Sequence, residues 1–110
     1  MRKGELWLVD LPTTGGHEQE GTRPVVLLVE AEANIVIVAP CTSNIQALRF
    51  PHTIEIKPSK VNGLDTISIA LIFQLRALDK IRLKRRIGVL EPTLLNDLEK
   101  MIKKLLGFSS

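Results

Sequence analysis

Tyrosine is missing from these 110 residues, and cysteine, tryptophan and phenylalanine contribute one, one and three. The single cysteine, Cys41, rules out an internal disulfide framework and any multi-cysteine zinc site. His17 and His52 have no second ligand at a recognisable spacing, so neither a metal nor any other cofactor is expected. At 4% aromatic content, the chain has little material for a sheet that stacks bases on rings. No apolar run reaches the roughly 18 residues of a membrane span, so no membrane partner is expected. The start, MRKGELWLVD, begins basic, but acidic residues interrupt it almost at once. It does not read as a signal peptide, and a cytoplasmic location is expected. The stretch TGGHEQEG lacks the Lys-Ser/Thr ending of a phosphate-binding P-loop, and no serine sits in a nucleophile-elbow pattern.

The remaining composition is that of a folded chain. Hydrophobic residues make up 45% and charged residues 25%, which suits one core and argues against disorder. A single domain over 1–110 is expected at this length. The net charge is only +3, but it is unevenly placed. The first forty residues are mainly acidic in balance. Arg76, Lys80, Arg82, Lys84, Arg85 and Arg86 crowd into one short stretch. Such a cluster attracts phosphate backbones or an acidic protein segment. It also reads as a solvated strand edge that resists aggregation.

Strand patterns fill most of the chain. ELWLVDL alternates and predicts a first strand. RPVVLLVE and NIVIVAP, separated by AEA, are rich in branched residues and predict a buried hairpin. HTIEIK alternates, with Ile54 and Ile56 facing one way and Glu55 and Lys57 the other. PSKVNGLD is turn chemistry centred on Asn62-Gly63. TISIALIFQL predicts one long central strand, and RIGVL a short last one. The end changes period. In EPTLLNDLEKMIKKLLGF the apolar positions 94, 95, 98, 101, 102, 105 and 106 trace one face of a helix. Pro92 suits its first turn and Gly107 its C-terminal cap. Five or six short strands and one closing helix predict a mainly β chain with α (α+β), a small SH3-like, partly open β-barrel with the helix over one opening.

Two segments could carry chemistry. The loop GHEQEGTRP is too long and too charged for a simple hairpin turn. It delivers Arg23 to the start of a strand, at the rim, where a guanidinium could grip a phosphate bidentately. The alternative is a salt bridge from Arg23 to Glu18 or Glu20. APCTSN brings the hydroxyls of Thr42 and Ser43 to a strand end, where they could also simply cap the loop as an ST-turn. Cys41 reads as a small buried hydrophobe.

With those residues in view, GELWLVDLPTTGGHEQEGTRPVVLL closely resembles the opening of the MazF/PemK family of toxin endoribonucleases. The family pattern G-x-x-W-x-V-x-x-x-P-T-x-G-x-E-Q-x-G-x-R-P is matched at Gly4, Trp7, Val9, Glu18, Gln19, Gly21, Arg23 and Pro24, with one extra residue in the Thr-Gly stretch. APCTSNI is similar to the second family motif. LIFQLRALDKIRLKRRIGVLEPTLLNDL is similar to the third, although Phe73 stands where many members have Asp. The loop NIQALRFP also lacks the family's common Gly-Tyr-Pro-Phe pattern.

The resemblance implies a type II toxin that cuts single-stranded RNA (mRNA) at specific sequences without metal. The ribose 2′-OH would attack the adjacent phosphate, leaving 2′,3′-cyclic phosphate and 5′-OH ends. It makes Arg23 the candidate for charge stabilisation and Thr42 the candidate for holding a phosphate oxygen. Glu18 is a candidate base or a group that positions Arg23. Ser43, Gln19, His17 and Gln74 are candidates for contacting the strand, although Gln19 also reads as structural. Lys80, Arg82, Lys84, Arg85 and Arg86 would form the RNA groove. A homodimer and a cognate antitoxin with an acidic, disordered tail are the implied partners. Two alternatives are a gyrase-poisoning toxin of the related barrel fold, which binds a protein and cuts nothing, and an inactive nucleic-acid-binding relative.

Overall fold

The computed structural model describes residues 1–11 and 21–108. Seven strands and one long helix account for most of them: β1 (Glu5–Leu11), β2 (Gly21–Glu30), β3 (Ile35–Thr42), β4 (Thr53–Ile56), β5 (Ser68–Leu71), β6 (Arg76–Asp79), β7 (Leu83–Val89) and α1 (Pro92–Leu106). Every strand pairing is antiparallel, in the order β4-β5-β3-β2-β1-β7, with β6 also paired to β3. The sheet curls but does not close, in keeping with the partly open barrel that the sequence predicts.

The run VVLL, Val25 to Leu28, does not alternate because the middle of β2 is covered on both faces. Val26 and Leu28 join Leu6, Ala39, Cys41, Ile54, Ile56, Ile72 and Leu98 in one core. Val25 and Leu27 join Val9, Val36, Val38 and Leu78 in a second. Where a strand is buried on both faces, successive positions are apolar. The β2–β3 hairpin turns at Ala33 and Asn34, with φ of 58° and 61°, closed by Ile35 N–H donating to the Glu32 carbonyl at 3.2 Å. Two successive positive φ values mark the turn type whose twist matches that of the strands.

One predicted strand is two. TISIALIFQL is strand only over Ser68–Leu71, and a 3-10 turn, Ile72–Gln74, separates it from β6. Both pieces lie along the same edge of β3. Thr42 pairs with Ile69, and Val38 pairs with Arg76. Five residues of β3, 38–42, are therefore opposed by eight, 69–76, and the three extra residues are taken up by the turn. That insertion turns Phe73 outward while Ile72 stays fully buried. The last strand is also longer than RIGVL, beginning at Leu83, because its register with β1 absorbs two irregularities. The count of seven strands thus exceeds the five or six expected.

The helix follows its apolar stripe. Leu98 is fully buried, and Leu94, Leu95, Met101, Ile102 and Leu105 pack against the same core. Leu98→Ala would cost about 2–5 kcal/mol at such a site. The helix ends at Gly107, in the left-handed region at φ 80°, where Phe108 N–H donates to the Lys103 carbonyl at 2.8 Å. At the other end, Glu91 is tied to the turn that follows β4. Its carboxylate accepts from Ser59 Oγ at 2.7 Å and from the buried Asn62 amide at 3.3 Å. The Ser59 hydroxyl, opposed in part by burial, draws the Glu91 carboxyl below its usual pKa. That turn lies hard against β7, since a Cβ on Gly88 would come within 2.3 Å of the Asn62 backbone.

Candidate active site

Strand register brings the two sequence-predicted segments towards one another. The β2–β3 ladder runs to Val25 opposite Pro40. Counted on by two residues in each strand, it reaches Arg23 and Thr42. Arg23 also lies across β1 from the buried Val9. Its side chain is exposed and makes no ion pair with another described residue. His17, Glu18 and Gln19, together with Glu20, lie outside the described residues.

Thr42 is buried at the end of β3, and its Oγ1 accepts the Asn44 backbone N–H at 3.2 Å. The loop-capping contact expected as an alternative is therefore present. It uses the hydroxyl as an acceptor and leaves its proton available to an oxygen above it. Asn44 then caps a 3-10 turn, Ile45–Arg49, by accepting from Gln46 N–H at 3.0 Å. Ser43 is exposed on the bend between them. Cys41 is wholly buried, and burial pushes its thiol up to about 12. It is the small core hydrophobe that the sequence suggested.

Thr42 forms part of the wall of a cleft of about 500 Å³, together with Asn44, Gln46, Arg49, Phe50, Phe73 and Gln74. Of these, sequence reasoning selected only Thr42 and Gln74. Two of the chain's three phenylalanines meet here, with ring centroids 5.7 Å apart and planes tilted by 51°. The Arg49 guanidinium lies 5.0 Å from the Phe50 ring centre, a cation–π contact. The available signal was position: NIQALRF directly follows the Thr-Ser pair.

The basic stretch is less uniform than its composition. Lys80 is paired with Glu30, Lys84 with Asp10 at 3.4 Å, and Arg86 with Glu5 at 3.3 Å. Burial would raise the Glu5 carboxyl, but the Trp7 indole, the Arg2 backbone and Arg86 together bring it below the ordinary value. The Asp10 carboxyl is lowered first by the Thr22 hydroxyl, against slight burial, and then by Lys84. Arg82 and Arg85 are exposed and have no ion pair among the described residues. Arg85 borders a second cavity of about 150 Å³ with Leu8, Pro24 and Ser68. Among the described residues, no group of three or more His, Cys, Asp or Glu is placed to hold a metal, and no helix is long and apolar enough to cross a membrane.

Residues 2–106 match the family model described as PemK-like, MazF-like toxin of type II toxin–antitoxin system. The chain belongs to this toxin family. Within it, the chain is 38% identical over 111 aligned positions to the endoribonuclease MazF of Staphylococcus saprophyticus, covering 97% of this chain and 92% of that protein. The fold is also that of solved MazF structures. MazF from Deinococcus radiodurans superposes with a TM-score of 0.78 at 22% identity, over 96% of each chain. A mycobacterial endoribonuclease in complex with its cognate antitoxin superposes at 0.71 and 19% identity, over 98% of this chain and 94% of that one. The open seven-stranded sheet and closing helix are thus the MazF-like fold.

Proposed function

We propose that this MazF-like chain is an endoribonuclease that cuts single-stranded RNA without a metal. The ribose 2′-oxygen bonds to the adjacent phosphorus, and the bond from phosphorus to the 5′-oxygen breaks. The 2′ proton is taken up by a base, and the leaving 5′-oxygen gains one. The products are a 2′,3′-cyclic phosphate and a 5′-OH. Arg23 stabilises the charge that builds on the phosphoryl oxygens, and Thr42 donates to one of them. Glu18 either takes the 2′ proton or holds Arg23 in position.

The observation that supports this reading most is the β2–β3 register, which leads to Arg23 on one strand and Thr42 on the other at the same end, beside the cleft. The 38% identity to a protein named endoribonuclease MazF supports the activity. The test is incubation of the protein with a mixed-sequence RNA in excess chelator, followed by analysis of the new ends. Cleavage to cyclic phosphate is expected. Arg23→Ala should lose about two to three orders of magnitude, as removal of one charge-stabilising donor does. Loss of all cutting in chelator, restored by a divalent ion, would refute the mechanism. A protein that leaves every RNA intact would favour the gyrase-poisoning or inactive alternatives.

The same reading extends to partners. A homodimer would present Lys80, Arg82, Lys84, Arg85 and Arg86 from both copies to the RNA. An antitoxin with an acidic tail would compete for those groups. The complex of a like-folded mycobacterial endoribonuclease with its antitoxin supports such a partner.

A further inference from the structure

We infer that Asp10 is a built-in competitor of the RNA backbone for Lys84, a carboxylate that occupies one cation of the groove until a phosphate displaces it. The inference rests on the ribonuclease reading above and concerns how tightly the same groove holds its substrate.

Three strands meet at this carboxylate. Asp10, near the end of β1, lies opposite Thr22 of β2. The Thr22 hydroxyl donates to Asp10 Oδ1 at 2.9 Å, and Lys84 Nζ of β7 stands 3.4 Å from Oδ2. The register of β7 accounts for the lysine. Leu8 pairs with Arg85 and Val9 with Leu83, so Lys84 is the extra residue between two rungs. Such an irregularity re-aims a side chain. The carboxylate is thus held by both oxygens, yet the side chains of Lys84 and Asp10 are 54% and 47% exposed. An exposed pair is weak, so a phosphate can exchange for it.

The surroundings suit a phosphate path. Thr22 directly precedes Arg23. Side chains alternate along a strand, so Arg23 rises on one side of the β1–β2 ribbon while Asp10 holds Lys84 on the other. β7 lies two strands, about 10 Å, from β2. Arg82 is near enough for its charge to act on the same carboxylate. Arg85, exposed and without an ion pair among the described residues, follows Lys84 directly. Asp10 is therefore the internal counter-ion of a small cationic cluster beside the rim. An entering strand meets Arg85 unopposed, but it gains Lys84 only by leaving Asp10 uncompensated. Removing the charge of Asp10 should strengthen RNA binding, whereas loss of a purely structural ion pair would not.

The test uses the intact protein and an RNA whose cut site has first been mapped, with one deoxyribose there to block cleavage. Binding is read by fluorescence anisotropy across a salt series. Asp10→Asn keeps an oxygen for the Thr22 hydroxyl and removes the charge. It should bind about two- to fivefold more tightly at low salt, the reach of one exposed pair. Its plot of log affinity against log salt should steepen by about 0.7, the release of one further counterion from a single strand. Lys84→Ala should cost less than about twofold in the wild type and about two- to fivefold in the Asp10→Asn background, as for a coupled pair. Cleavage of unmodified RNA by Asp10→Asn should show a lower KM and no rise in kcat, since the added contact serves ground and transition states alike. Glu99→Gln makes the same charge change at the Lys3 pair on the helix and should leave the salt slope alone. Thermal melts show whether each variant is folded, and Asp10→Ser, also uncharged, gives a second reading of the slope. If the uncharged variants bind RNA no more tightly than the wild type and with its slope, the competition is refuted and the ribonuclease reading stands. An equal gain from Glu99→Gln would refute it too, as an effect of net charge alone. A wild-type protein that neither binds nor cuts any RNA overturns the ribonuclease reading itself, and the inference with it.

Discussion

Replacing Asn62 with Ala should test whether the turn after β4 holds the barrel and helix together. The side chain is fully buried. Its Oδ1 accepts from the Ser59 and Leu64 backbone N–H groups, both at 3.0 Å. Its Nδ2 donates to the Lys57 carbonyl at 2.8 Å and to Glu91 at 3.3 Å. Asn62→Ala deletes these bonds, of which the one from Leu64 is buried and the other three are partly buried. At about 1 kcal/mol for each bond, and more for partners left dry, the loss is roughly 4 kcal/mol. Against a total stability of about 5–15 kcal/mol, that is a large fraction. Urea unfolding at neutral pH would read it as a lower midpoint with an unchanged slope. Asn62→Asp provides a control. It keeps the acceptor but sets a second carboxylate against Glu91, so it should be at least as damaging at neutral pH and should recover as the pH is lowered. A midpoint for Asn62→Ala within about 0.5 kcal/mol of wild type would show that the network does not stabilise the fold.

Other expectations are simpler to check. The lowered carboxyls of Glu5 and Glu91 contribute stability that is full above the ordinary carboxylate pKa and is lost as the pH falls through their lower native values. The urea midpoint should therefore drop on the acid side, and Glu91→Gln should flatten part of that drop. Cys41, with its thiol near 12 and no exposure, should resist a thiol-specific chromogenic disulfide at pH 8 and react at once in urea; rapid labelling of the native protein would contradict its burial. Arg82→Ala or Arg85→Ala should weaken RNA binding more than Lys84→Ala does, because Lys84 is already engaged by Asp10, and a binding titration against salt would show the ranking.

The regular elements were legible where a pattern ran long enough. The helix, its first turn and its C-terminal cap follow from the apolar stripe, Pro92 and Gly107. The hairpin of β2 and β3 follows from two branched runs and a short link. The division of TISIALIFQL was hidden, since Leu71, Ile72 and Phe73 are apolar whether they continue a strand or turn out of it. Only the register of β3, with Thr42 on β5 and Val38 on β6, shows that three residues have to leave the ladder. β6 was hidden too, since Arg76–Asp79 is four residues with a single buried member, Leu78. At the site, Arg23 and Thr42 were marked by residue type and motif. Phe50 and Phe73 were not, because they are far apart in sequence and meet only through the pairing of β3, β4 and β5. The low aromatic content, which argued against base stacking, concealed that two of the few rings share one cleft.

The positive-φ turn at Ala33 and Asn34 has a practical use. It caps the end of the β2–β3 hairpin opposite Arg23 and Thr42, about 26–33 Å away along the strands at some 3.3 Å per residue. Alanine accepts that backbone conformation poorly and glycine readily. The tip can therefore be exchanged for a glycine-containing linker, and a fluorophore or an affinity handle can be carried there. Attached there, it lies at the far end of the hairpin from Arg23 and Thr42, and a linker that keeps the Asn34 carbonyl in place also keeps its 2.7 Å bond from the Lys80 N–H, so the toxin can be followed by microscopy or pulled on in a single-molecule trap.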